Sequence, residues 1–148
     1  MPLRAIAYVS RARPELQPAE LDALLADATA FNRMAGVTGV LMFDGERFLQ
    51  YLEGPADGLE SVFARVLNAR RHEGVQQLAS GPLPARWFPR WTMANRRIEA
   101  SLLSDIIDAP WQGFEGPSTA SRRGFALLLR NWLGGHGELE PAAVSLGS

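Results

Sequence analysis

The chain contains no cysteine. Disulfides, thiolate metal sites, a cysteine nucleophile and any photochemical adduct on a cysteine are therefore excluded. Its two histidines, His72 and His136, are too far apart in sequence to suggest a metal set. No apolar run approaches the roughly 18–20 residues that span a bilayer, and the N-terminus lacks the apolar stretch of a signal peptide. The cytoplasm is the expected compartment. Charge of either sign is also lacking in excess. Fifteen Lys+Arg stand against 16 Asp+Glu, a net charge of −1, so no overall field draws the chain to nucleic acid or to a membrane. Sequence patterns for the common catalytic sites are missing too. There is no G-x-S-x-G, no P-loop, no H-E-x-x-H and no G-x-G-x-x-G after a strand, so the chain does not read as an enzyme.

What remains is an ordinary globular composition. The 148 residues are 47% hydrophobic and 21% charged, enough for one domain with a core of its own and too few for a separate output domain.

Residues 3–10, "LRAIAYVS", alternate loosely and read as a first strand, with Ile6 and Tyr8 on one face. After the polar loop "RARPELQP", Leu21, Leu24, Leu25, Ala28 and Phe31 recur at helical spacing, and Asn32 falls on the same stripe. "GVTGVLMF" and "RFLQYLE" are two strands joined by Asp44-Gly45-Glu46, a hairpin turn. Leu59, Val62, Phe63 and Val66 mark a second amphipathic helix, with Arg65 at the edge of its stripe. "GVQQLASGPL" reads as a fourth strand and "RWTMA", after Pro89, as a short fifth. The order β-α-β-β-α-β-β predicts an α+β, ferredoxin-like sheet with two helices on one face. The other face would be bare. "SLLSDIID" and "SRRGFALLLRNWL" have helical spacing, and Leu102, Leu103, Ile106, Leu127, Leu128 and Trp132 are expected to pack on that face or on another subunit.

One residue of "RFLQYLE" is out of place. Gln50 shares a strand face with Phe48 and Leu52, and an unpaired buried amide costs roughly 1–3 kcal/mol. Tyr8 and Asn32 also point to the interior, although a lone buried Tyr or Asn more often bonds a backbone group than a ligand. Together the three describe a polar cluster beside an apolar slot, suited to a planar ligand edged with heteroatoms between the two helices. Other polar residues have plainer readings. Asp57 and Glu60 complement a helix N-terminus, and Arg70, Arg71 and His72 a helix C-terminus, with a phosphate site as the functional alternative for the basic cluster. "RWFPRW" could stack on single-stranded nucleic acid, but the neutral total favours Trp87, Phe88 and Trp91 as core or dimer anchors, with Met93 as a core filler.

The segments "AIAYVS", "FNRMAGVTGVLMF", "RFLQYLEG", "VFARVLNARRHEGV" and "FPRWTMA", in that order and spacing, resemble a BLUF domain, the FAD-using blue-light sensor. The resemblance covers residues 2–97, and 98–148 resemble the C-terminal part of short, stand-alone members. It implies a non-covalent FAD, with FMN the alternative, held between the first two helices. By the same resemblance, Tyr8 is the electron donor and Gln50 the switching amide. Asn32 bonds the ring's polar edge and Arg65 lies near its other carbonyl, Arg71 and His72 lie toward the ribityl phosphate, and Trp91 and Met93 pass the signal on. Phe31 departs from the family, which often has a polar residue there. Trp91 and Met93 share strand parity, so a regular strand would face both the same way. The expected division is a flavin-binding domain over 1–97, a helical extension over 98–135 and a flexible tail over 136–148. A homo-oligomer and an unidentified downstream protein partner are expected. Two rival readings remain: a light-inert flavin or nucleotide binder, and an acylphosphatase-like enzyme using Arg65 or Arg71 with Asn32. The second lacks a glycine-rich loop after the first strand.

Overall fold

The computed structural model describes residues 2–12, 17–67, 72–112, 114 and 123–133. Arg70, Arg71 and the tail 136–148 lie outside the described residues, as does the side chain of His72. Among the described residues, five strands form one sheet: β1 (Leu3–Ala12), β2 (Thr38–Phe43), β3 (Arg47–Pro55), β4 (His72–Leu83) and β5 (Ala94–Arg97). The helices described beside it are α1 (Pro18–Ala35), α2 (Ala56–Leu67), α3 (Ala100–Asp108) and α4 (Arg123–Leu133). The strand order is β4-β1-β3-β2-β5, antiparallel except for the β2–β5 pair. This is the expected ferredoxin-like arrangement with a fifth strand added beside β2.

Local chemistry sets the element ends. The first turn of α1 carries Pro18, where a missing N–H costs nothing, and Glu20 accepts the Gln17 backbone N–H at 3.0 Å. Its last turn closes on Gly36 at φ 73°, with Gly36 N–H donating to the Arg33 carbonyl and Val37 N–H to that of Asn32. This Schellman motif fixes Asn32 in the final turn. The β2–β3 turn is held by Asp44, whose Oδ1 accepts the N–H groups of Glu46 at 2.8 Å and Arg47 at 2.7 Å. It sets a register in which Gln50 stands opposite Leu41 on β2 and Tyr8 on β1.

Period-two alternation divides the core into two layers. On one face Ile6, Tyr8, Leu41, Phe48 and Leu52 meet Leu21, Leu25, Phe31, Leu59, Val62 and Phe63 from α1 and α2. On the other, Val40, Met42, Leu49 and Tyr51 meet Leu103, Ile106, Phe125, Leu128 and Trp132 from α3 and α4. The C-terminal helices thus cover the second face of their own sheet. Of the residues expected there, Leu102 instead faces outward and is 41% exposed.

The fifth strand differs from expectation. It spans Ala94–Arg97 rather than Arg90–Ala94, so Trp91 and Met93 precede it. Trp91 is held by a turn, its N–H toward the Phe88 carbonyl and its own carbonyl taking Gly39 N–H at 2.8 Å. Freed from strand parity, Trp91 packs in the α3/α4 layer and Met93 in the α1/α2 layer. Apolar clustering located the segment but not the residues that pair with β2.

Phe125 is wholly buried against Tyr51, Trp87 and Phe114, with its ring centroid 4.9 Å from that of Tyr51. Phe125→Ala is expected to lower unfolding free energy by about 3–5 kcal/mol in a urea titration. A loss under about 1 kcal/mol would mean that α4 is not part of the cooperative core.

Candidate functional site

The site is assembled from two neighbouring strands, the last turn of α1 and the segment before β5. Cross-strand pairing places Tyr8 and Gln50 side by side on the face toward α1 and α2. Both are buried, and the Tyr8 hydroxyl donates to Gln50 Oε1. The Tyr8 ring lies against Phe63 of α2, with centroids 5.4 Å apart. The other end of the Gln50 amide, Nε2, faces Met93 Sδ at 3.8 Å. A thioether is a weak acceptor, so this strong donor keeps capacity for a better one. Asn32, 1% exposed, donates through Nδ2 to the Thr92 backbone carbonyl at 2.7 Å. Its Oδ1 is thereby left as an acceptor.

Arg65 is exposed on α2, with its guanidinium 4.9 Å above the Phe31 ring. This cation–π contact joins α1 to α2, so Phe31, where the sequence departs from the family, is a platform for Arg65. Of the remaining expected residues, Arg71 lies outside the described residues. Trp91 lies across the sheet, with its ring 5.5 Å from those of Phe88 and Trp132. His72 pairs with Ala12 at the end of β1, roughly 13 Å along the strand from Tyr8.

Sequence reading missed Thr92, which contributes a backbone carbonyl, and Glu53. The latter was detectable, because Glu53 shares a strand face with Leu49 and Tyr51 and is wholly buried. Burial raises its pKa, while the Trp87 N–H, the Tyr51 hydroxyl, the Phe88 N–H and Arg86 oppose that rise. Tyr51 is raised well above its usual value by burial and then by the adjacent Glu53. Burial alone raises Tyr8.

These are the only two tyrosines in the chain. Since both native phenols hold their protons more tightly than the unfolded ones, their stabilising contribution is complete below about pH 10 and is lost as pH rises above it. The expected outcome is a tyrosinate absorbance that appears only together with unfolding, above pH 10. A tyrosinate step near pH 10 in the folded protein would contradict the burial of one of them.

A family model described as BLUF, sensors of blue-light using FAD, matches residues 3–94. The beta subunit of the photoactivated adenylate cyclase of Euglena longa is 34% identical over 100 residues, covering 66% of this chain and 12% of that protein. The blue light- and temperature-regulated antirepressor BluF of Escherichia coli strain K12 is 26% identical over 107 residues, covering 72% of this chain and 27% of that protein. The chain thus spans only a small part of these relatives. Among solved structures, BlrB in its dark state superposes with a TM-score of 0.65 at 27% identity, covering 72% of this chain and 82% of that one. The BLUF domain of BlrP1 gives 0.63 at 30% identity, covering 94% and 95%. With its ferredoxin-like sheet, its buried Tyr8–Gln50 pair and a family match over residues 3–94, the chain belongs to the BLUF family of blue-light sensors.

Proposed function

We propose that this chain is a blue-light receptor that binds FAD non-covalently between α1 and α2 and signals by rearranging the hydrogen bonds of Tyr8 and Gln50. One observation carries the reading: Gln50 is held by Tyr8 at its oxygen and, among the described residues, faces a thioether at its nitrogen. The donor set fits a flavin's polar edge. Gln50 and Asn32 each bring an amide, able to donate and accept, to the apolar layer that Ile6, Leu41, Phe31 and Phe63 share. Arg65 is the cation we assign to a ring carbonyl. Arg71 and His72 are assigned to the phosphate side, which the distance of His72 from Tyr8 along β1 supports. FAD, rather than FMN, follows the description of the family.

When bound, a flavin supplies blue absorption and an excited state that accepts an electron. Tyr8 is the donor we assign, since its hydroxyl is directed at Gln50. A phenol that loses an electron becomes strongly acidic, and Gln50 Oε1 stands ready to take its proton. As Oε1 gains that proton, Nε2 would release one to the bound flavin, and return of the electron and a proton to Tyr8 would leave the amide reversed or tautomerised, its other end presenting a changed pattern of donors and acceptors. Met93, the neighbour at that end, is the residue we assign to sensing the change. Trp91, two residues away, extends it to Trp132 in α4. The output is an altered contact with another protein, a reading supported by the antirepressor relative. Self-assembly through α3 and α4 belongs to the same proposal, supported by the exposed Leu102.

Purified protein is expected to be yellow and to show a reversible red shift after blue light. Gln50→Leu and Tyr8→Phe are each expected to retain flavin and lose the shift. A colourless preparation that refuses added FAD, or a normal shift in either variant, would overturn the reading. Chromatography of the released flavin decides between FAD and FMN.

A further inference from the structure

We propose that Glu53 is a positioning residue of the switch, anchoring residues 86–93 so that Thr92 and Met93 stay in register with Asn32 and Gln50. This rests on the roles given above to Tyr8 and Gln50. Glu53 lies three residues beyond Gln50 on β3 and on the opposite face, roughly 10 Å along the strand. It therefore acts through the chain that follows β4 rather than at the flavin.

Its carboxylate meets four donors. Oε1 accepts from the Tyr51 hydroxyl at 2.7 Å and the Trp87 N–H at 2.9 Å. Oε2 accepts from the Phe88 N–H at 2.6 Å and, at 3.4 Å, from Thr38 Oγ1. Two consecutive backbone N–H groups thus converge on one buried acid. Only an acceptor at both oxygens suits them, since an amide would set an NH2 group against one pair.

Arg86 ties the same segment to the end of α1. Its Nη2 donates to the Gly36 carbonyl at 2.7 Å, and Nη1 to Thr38 Oγ1 at 2.9 Å. Beyond the anchor, Phe88 stacks on Trp91 and the Trp91 carbonyl takes Gly39 N–H. The next two residues reach the switch: the Thr92 carbonyl meets Asn32, and Met93 Sδ meets Gln50. Four residues separate Phe88 from Met93, and tied groups punctuate that span. The anchor on one face of β3 therefore sets where Met93 stands on the other.

Holding Met93 against Gln50 stabilises the dark arrangement, and loosening the anchor slows the return to it. The experiment is dark recovery of the red shift in the flavin-loaded protein. Glu53→Gln is expected to keep flavin bound and to slow recovery by about tenfold or more. Hydrogen exchange of the amides at 91–93 should rise in the same variant. Leu103→Ala, at a buried position of α3 with no part in the anchor, serves as the control: it weakens the fold elsewhere and is expected to leave recovery within about twofold of the wild type. If Glu53→Gln does not fold, Arg86→Met, which cuts only the outer tie, decides by the same rate, with slowing by about threefold expected. Recovery at the wild-type rate in the folded variant, or equal slowing in Leu103→Ala, would overturn the inference. A wild-type protein with no red shift would instead show the failure of the photoreceptor reading itself.

Discussion

Strand β3 is central in the sheet and buried on both faces, so every polar group it carries must find a partner within the protein. In a layer from which water is excluded, an unpaired amide or carboxylate costs more than most single packing contacts contribute. β3 carries two such groups on opposite faces, Gln50 and Glu53. Gln50 draws in Tyr8 from β1 and Met93 from the segment before β5. Glu53 draws in Tyr51, Thr38 and the backbone of Trp87 and Phe88. The connection between β4 and β5 is thus held from both sides of one strand.

That connection brings three consecutive residues to three different places. Trp91 packs among Phe88 and Trp132 under the C-terminal helices, the Thr92 carbonyl meets Asn32 of α1, and Met93 meets Gln50. An irregular backbone is needed for this, because a regular strand would send Trp91 and Met93 to the same face. The short distance between switch and output helices in the proposed mechanism follows from this local geometry.

The two buried networks differ in strength in a way that suits their proposed tasks. Glu53 has both oxygens engaged by close donors, two of them backbone N–H groups, which makes a stiff anchor. Gln50 has a strong partner at one end and a thioether at the other, so rearranging the amide gives up little at the Met93 side. A switch of this kind needs one element that moves against others that do not.

Local pattern in the sequence was enough to place the hairpin at Asp44-Gly45, both amphipathic helices, and Tyr8, Asn32 and Gln50 in the interior. Each of these depends on side-chain period or turn chemistry among residues near one another in the chain, and such information survives in one dimension. Glu53 was visible in the same way, as a charge on the face of Leu49 and Tyr51, but its partners were not. They are backbone N–H groups more than thirty residues away, and a backbone donor has no letter of its own. For the same reason the Thr92 carbonyl could not be foreseen opposite Asn32. The start of β5 and the split between Trp91 and Met93 were decided by the edge that β2 offers and by the turn at Phe88. Which residues of a short apolar segment pair with a distant strand, and which face each side chain then takes, depends on what the assembled sheet leaves unpaired.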